Sequence, residues 1–182
     1  MVKVQPLAIA DVLLLELPVF RDQRGFFLES FNQRAFMAAT GLAVNFVQDN
    51  HSASQQGVLR GLHYQRQHPQ GKLVRVIEGE IFDVAVDLRR SSPTWGQWVG
   101  TWLRAENFQQ LWIPPGFAHG FWVKSPKAQV LYKTTDYYNA GDEYTLLWND
   151  PTIGITWPID GEPLLSAKDQ QGKSINELPL FP

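Results

Sequence analysis

The chain has no cysteine, which excludes disulfides, thiolate metal sites and a cysteine nucleophile. Neither sign of charge dominates. Sixteen Lys and Arg stand against 18 Asp and Glu for a net charge of -2, so no basic field exists to hold a nucleic-acid backbone. A nucleotide stays open as a ligand. No run approaches the ~20 apolar residues that span a bilayer. The apolar start MVKVQPLAIADVLLLELPVF is broken by Glu16 and Pro18 and lacks a small-residue cleavage site, so the expectation is a soluble, cytoplasmic protein without a membrane partner. No glycine-rich loop opens a helix, which removes the P-loop and the dinucleotide fingerprint. No serine stands in an elbow motif, so acyl transfer has little support.

What the chain does have is apolar bulk. Its 182 residues are 44% hydrophobic and 13% aromatic, with seven Trp and eleven Phe, enough for one compact domain over residues 1–182. The pattern is short strands with turns every eight to twelve residues. Val2, Val4 and Val12 to Leu17 read as strands, as does Asn45 to Gln48, which runs into a polar loop carrying Asp49, Asn50 and His51. In EIFDVAVDL, Phe82, Val84, Val86 and Leu88 share one face and Ile81, Asp83, Ala85 and Asp87 the other. That predicts a half-buried strand with Asp87 in water and Asp83 open. One helix is signalled, Asn32 to Thr40, with Asn32 as N-cap and Gly41 as stop. The tail after Trp157 reads as loop wrapped on the body. The expected class is all-β, a sandwich, jelly roll or barrel with one or two short helices.

The chemistry concentrates between Val58 and Val76, where Arg60, His63 and Lys72 sit among apolar strand residues. Three kinds of basic group facing one cavity would hold an anion and move a proton. Parity puts Arg60 and His63 on opposite faces, and Gly61 between them offers a bulge that turns both the same way. Parity also lets Tyr132 point inward while Lys133 points out. Near its reference pKa a histidine accepts a proton at neutral pH, whereas a tyrosine stays protonated and donates one. Any phosphate must be held by side chains, with Arg24, Arg60 and Lys168 as candidates.

Pro114-Pro115-Gly116-Phe117-Ala118-His119 fits the second element of a cupin-type double-stranded β-helix (jelly-roll) barrel, and Gly57 followed by His63 fits the start of the first. A metal cupin would continue His-x-His and then a glutamate. Here Gln65 stands at the second histidine and Lys72 near the acid. One imidazole is lost and a cation added, so no metal is expected.

Arg60-Gly61-Leu62-His63-Tyr64-Gln65, Pro69 to Val74 and Pro114 to Phe121 closely resemble the dTDP-4-dehydrorhamnose 3,5-epimerase family. The likeness extends to Asp22–Phe31, Gln48-Asp49-Asn50 and Leu165-Ser166-Ala167-Lys168-Asp169. The resemblance implies a cofactor-free, cytoplasmic homodimer that inverts carbons 3 and 5 of dTDP-4-keto-6-deoxyglucose, supplying rhamnose for lipopolysaccharide O-antigen. It implies His63 as base, Tyr132 as acid, Asp169 as the carboxylate that orients His63, and Lys72 near the developing enolate. Arg24, Arg60, His119 and Lys168 resemble contacts to diphosphate or sugar. Glu29, Gln48, Asp49, Asn50 and Glu143 resemble nucleotide or sugar ligands, and Tyr138 the aromatic that stacks on thymine. A single-carbon epimerase, a ketoisomerase, a metal-dependent cupin oxygenase and a non-catalytic dTDP-sugar binding module are the rival readings.

Overall fold

The computed structural model describes residues 1–159 and 161–182. In chain order the strands are β1 (Lys3–Pro6), β2 (Leu13–Glu16), β3 (Phe20–Asp22), β4 (Gly25–Phe27), β5 (Gln48–Gln55), β6 (Leu59–Gln65) and β7 (Lys72–Glu78), with helix α1 (Gln33–Thr40) between β4 and β5. There follow β8 (Glu80–Asp87), β9 (Trp98–Arg104), β10 (Gln109–Ile113), β11 (Phe117–Val123), β12 (Lys127–Thr134) and β13 (Glu143–Thr145). One sheet runs β1-β2-β10-β7-β12-β5 and the other β13-β6-β11-β8-β9, while β3 and β4 form a separate hairpin. Strand pairing within the sheets is antiparallel. This is the all-β, cupin-type double-stranded architecture that the sequence implied.

Three apolar layers hold it. Between the sheets lie Val74, Val76 and Val130 from one side and Ile81, Ala85 and Phe121 from the other. On the outer face of the second sheet, Val84, Val86 and Trp122 pack under Ile175, Leu178 and Phe181 of the tail. The helix buries Phe36 on the outer face of the first sheet, against Trp112, Leu15 and Leu73. That helix starts where Asn32 accepts a hydrogen bond from the Ala35 amide and stops at Gly41, whose φ is 74°, the left-handed turn that glycine adopts freely.

Two local expectations were wrong. The stretch from Gln48 on is strand, because β12 pairs with all of it, from Thr134 opposite Gln48 to Lys127 opposite Gln55. Edge pairing overrides its polar composition. Strand β8 is also covered on both faces rather than one, with Asp87 wholly buried. Asp87 accepts hydrogen bonds from Arg89 Nε at 2.9 Å, Ser92 Oγ at 2.6 Å and Thr94 Oγ1 at 2.7 Å. Burial opposes the Asp87 charge, but these donors outweigh it and hold its pKa at about 2.

Candidate active site

The site begins with an irregularity in β6. His63 pairs with His119 of β11, but Arg60 pairs with Phe121. Three steps on β6 thus face two on β11, and the extra residue is a bulge that turns Arg60 and His63 toward one cleft. Glycines make room for it. Gly61 has φ 116°, and a Cβ there would stand 2.6 Å from the Gly120 Cα, while a Cβ on Gly120 would stand 2.6 Å from the Arg60 carbonyl oxygen. Gly61→Ala is therefore expected to cost at least ~2 kcal/mol of stability, read as a lowered midpoint in chemical denaturation. A wild-type midpoint would show that the two backbones can part without cost.

The cleft has two adjoining lobes, of about 280 and 250 Å³, that share His63, Lys72, Tyr132, Tyr138 and Glu143. Gln48 and Asn50 line the first lobe, and Arg60, His119 and Lys168 the second. His63 comes from the second sheet and Tyr132 from the first, so imidazole and phenol stand on opposite walls. Behind His63, the tail brings Asp169 Oδ1 to 2.6 Å from Nε2. Burial opposes the Asp169 charge, but the His63 contact holds its pKa below the usual carboxylate range. An ionised carboxylate only accepts hydrogen bonds, so Nε2 carries the proton and Nδ1 keeps the lone pair.

Lys72 is 8% exposed, and its Nζ donates to the His63 carbonyl oxygen at 3.3 Å. Burial brings its pKa down to about 8, with Glu143 and Asp83 pulling the other way. Burial and the Glu143 charge push the Tyr132 phenol upward, so it stays protonated. His119 is buried with Nε2 at 2.9 and 3.0 Å from the two Asp83 oxygens. Burial depresses its pKa more than Asp83 restores it. Asp83, left open by the sequence, thus faces the lumen. At the rim, Glu143 accepts from Tyr138 Oη at 3.0 Å and Lys168 Nζ at 2.8 Å. Gln48 accepts from the Tyr138 amide at 3.0 Å and donates to Asn50 at 2.9 Å. Arg60 Nε donates to Ser54 Oγ at 2.9 Å.

Three residues singled out in the sequence do not join this cleft within one chain. Arg24 is exposed on the β3–β4 hairpin, paired with Asp22. Glu29 borders a separate apolar cavity with Phe31 and Ala35, and Asp49 turns outward to Lys133 at 2.8 Å. His51 also lies outside, bonded to Gln129. Gln65, at the place of a second cupin histidine, spends its amide on loops: it donates to the His68 and Tyr137 carbonyls and accepts from the Asn139 amide. Among the described residues no three His, Cys, Asp or Glu side chains cluster as metal ligands would. Sequence reasoning missed Ser52, Gln70 and Phe121 in the lining. Alternation along β5, once known as a strand, would have found Ser52 beside Gln48 and Asn50.

Known proteins are similar to this chain in sequence and in fold. A family model described as dTDP-4-dehydrorhamnose 3,5-epimerase matches residues 6–177. The dTDP-4-dehydrorhamnose 3,5-epimerase of Pseudomonas aeruginosa is 61% identical over 180 residues, covering 99% of both chains. That of Salmonella typhimurium is 61% identical over 163 residues, 89% of each. The crystal structure of dTDP-6-deoxy-D-glucose-3,5-epimerase from Legionella pneumophila, in complex with dTDP-4-keto-L-rhamnose, superposes with a TM-score of 0.97 at 47% identity, covering 100% of this chain and 98% of that one. With a family model over nearly its whole length and relatives this close, the chain belongs to the dTDP-4-dehydrorhamnose 3,5-epimerase family.

Proposed function

We propose that this chain inverts carbons 3 and 5 of dTDP-4-keto-6-deoxyglucose, with His63 as base and Tyr132 as acid, to give dTDP-4-keto-L-rhamnose. One observation carries the division of roles: His63 and Tyr132 line one cleft from opposite sheets. A proton taken on one face of the sugar and returned on the other inverts the carbon. Both carbons lie alpha to the carbon-4 ketone, so one enolate-stabilising site serves both. Asp169 orients His63 and stabilises its charged form, and the Lys72 ammonium meets the enolate oxygen. Arg60, His119 and Lys168 hold the diphosphate and sugar. Gln48, Asn50 and Glu143 hold the nucleotide and sugar, and Tyr138 stacks on thymine.

Arg24, Glu29 and Asp49 fit this reading through a second copy. The β3–β4 hairpin exposes Phe20, Phe26 and Phe27 at 64%, 55% and 69%, apolar surface that a homodimer would cover. Its Arg24 and the following Glu29 would then serve the partner's cleft, and Asp49 would serve at the rim between copies. A cytoplasmic homodimer of one domain, feeding rhamnose to lipopolysaccharide, completes the proposal. No helix among the described residues is long and apolar enough to cross a membrane.

The test is proton NMR of dTDP-4-keto-6-deoxyglucose with the protein in heavy water. Deuterium at both carbons, with a rhamno product trapped by a reductase, is the expected result. Exchange at one carbon would reduce the activity to a single epimerisation or a ketone shift. Binding of dTDP with no exchange would leave a binding module.

A further inference from the structure

We propose that Phe121 selects a methyl over a hydroxymethyl group at carbon 6 of the sugar. The inference rests on the epimerase reading above and concerns a part of the substrate that the acid–base groups leave untouched. Among the described residues lining the two lobes, Phe121 alone has a side chain made only of carbon and hydrogen. Apart from Gly120, which has none, the others all carry nitrogen or oxygen, suited to a ketone, hydroxyls and a diphosphate. The sugar of dTDP-4-keto-6-deoxyglucose has one apolar group, the carbon-6 methyl. Against polar walls that methyl gains little, whereas against a phenyl ring it leaves water for apolar contact.

The fold fixes Phe121 where this contact forms. Strand β11 keeps an unbroken register with β8 from Phe117 to Val123, so Phe121 and His119, two residues apart, face the same side. Their ring centroids stand 6.4 Å apart, close enough for one sugar to touch both. Phe121 is 4% exposed and packs in the core between the sheets, so the surface it offers the lobe is rigid. The polar residues paired with it, Arg60 and Asp83, are engaged elsewhere. Arg60 donates to Ser54 Oγ and the Ala53 carbonyl, and both Asp83 oxygens lie at His119 Nε2. A carbon-6 hydroxyl pressed on this ring would therefore exchange water for hydrocarbon. Ser52, which lines the same lobe with its buried hydroxyl unpartnered, is the group that would rescue it.

Two nucleotide sugars without the carbon-4 ketone read the preference free of turnover. These are dTDP-6-deoxyglucose and dTDP-glucose, each titrated into the full chain by calorimetry. Wild type is expected to bind the 6-deoxy sugar about tenfold more tightly. In Phe121→Tyr, which keeps the ring and adds a hydroxyl, that ratio should fall toward unity, while Phe121→Met, apolar and adaptable, should keep it. The ratio of dTDP to dUDP affinity should not move in either variant. Equal affinity of wild type for the two sugars would overturn the assignment and leave Ser52 to meet the extra oxygen. An unchanged sugar ratio in Phe121→Tyr would overturn it too. So would a shifted dTDP-to-dUDP ratio, which would put Phe121 against the thymine methyl. Should tyrosine lower the thermal midpoint, Phe121→His decides by the same sugar ratio. Failure of the wild type to exchange protons at carbons 3 and 5 in heavy water would instead remove the epimerase reading itself.

Discussion

His63→Gln is expected to lower kcat by about 10²- to 10⁴-fold, the range a positioned general base supplies, while dTDP affinity and the thermal midpoint stay near wild type. Glutamine is the informative replacement because its amide nitrogen reaches the place of Nε2 and can still donate to Asp169 Oδ1, which His63 Nε2 holds at 2.6 Å. Alanine would leave Asp169, 2% exposed, as an unpaired buried charge, and a loss of activity could then reflect loss of fold. The side chain of His63 is itself 22% exposed, so the packing cost of the change is small. The loss should fall on kcat and kcat/KM together, since the proton transfer exists only in the transition state. Steady-state kinetics beside dTDP titration measures it, and a kcat within tenfold of wild type would mean that another group takes the proton.

How much of this site the sequence disclosed depends on how far each contact travels along the chain. Alternation alone placed Tyr132 inward and Lys133 outward, and Gly61 foretold the bulge that unites Arg60 with His63, because both signals are local. The carboxylate partners were not readable from spacing. Asp83 meets a histidine 36 positions away, and Asp169 meets His63 across 106. Only the resemblance to a family supplied the second pairing. Asp87 was misread although its donors Arg89, Ser92 and Thr94 lie within seven residues. A carboxylate at a strand end beside a charged turn reads as solvated. What the spacing does not show is that this turn folds back over the strand end, where Arg89 also reaches Asp11 of the N-terminal segment at 2.8 Å. The polar run from Gln48 to Gln55 likewise hides its strand character, which exists through β12. Arg24 and Glu29 mark another kind of limit, since the resemblance alone pointed to them and the single chain holds them outside the cleft.

Lys72→Met should separate activity from stability most sharply. A well-aimed cation at a developing oxyanion in a dry pocket contributes about 3–4 kcal/mol to the transition state, so kcat is expected to fall by about 10²- to 10³-fold. The same residue weakens the fold at neutral pH. Its pKa is lowered to about 8 by burial, against ~10.4 in the unfolded chain. Between these values the unfolded state binds more protons, so stability rises with pH there; below about 8 the full cost of the buried charge, on the order of 3 kcal/mol, is present. Methionine removes that charge and fills similar volume, so the variant should melt later than wild type at pH 7 while turning over far less substrate. The pH profile gives an independent reading of the same group. Wild-type kcat/KM should decline as pH rises through about 8 and Lys72 loses its proton. In Lys72→Arg, whose guanidinium stays charged, that decline should move to higher pH. An unchanged basic limb in Lys72→Arg, or a Lys72→Met protein as active as wild type, would take the enolate role away from Lys72 and leave its buried charge without a function.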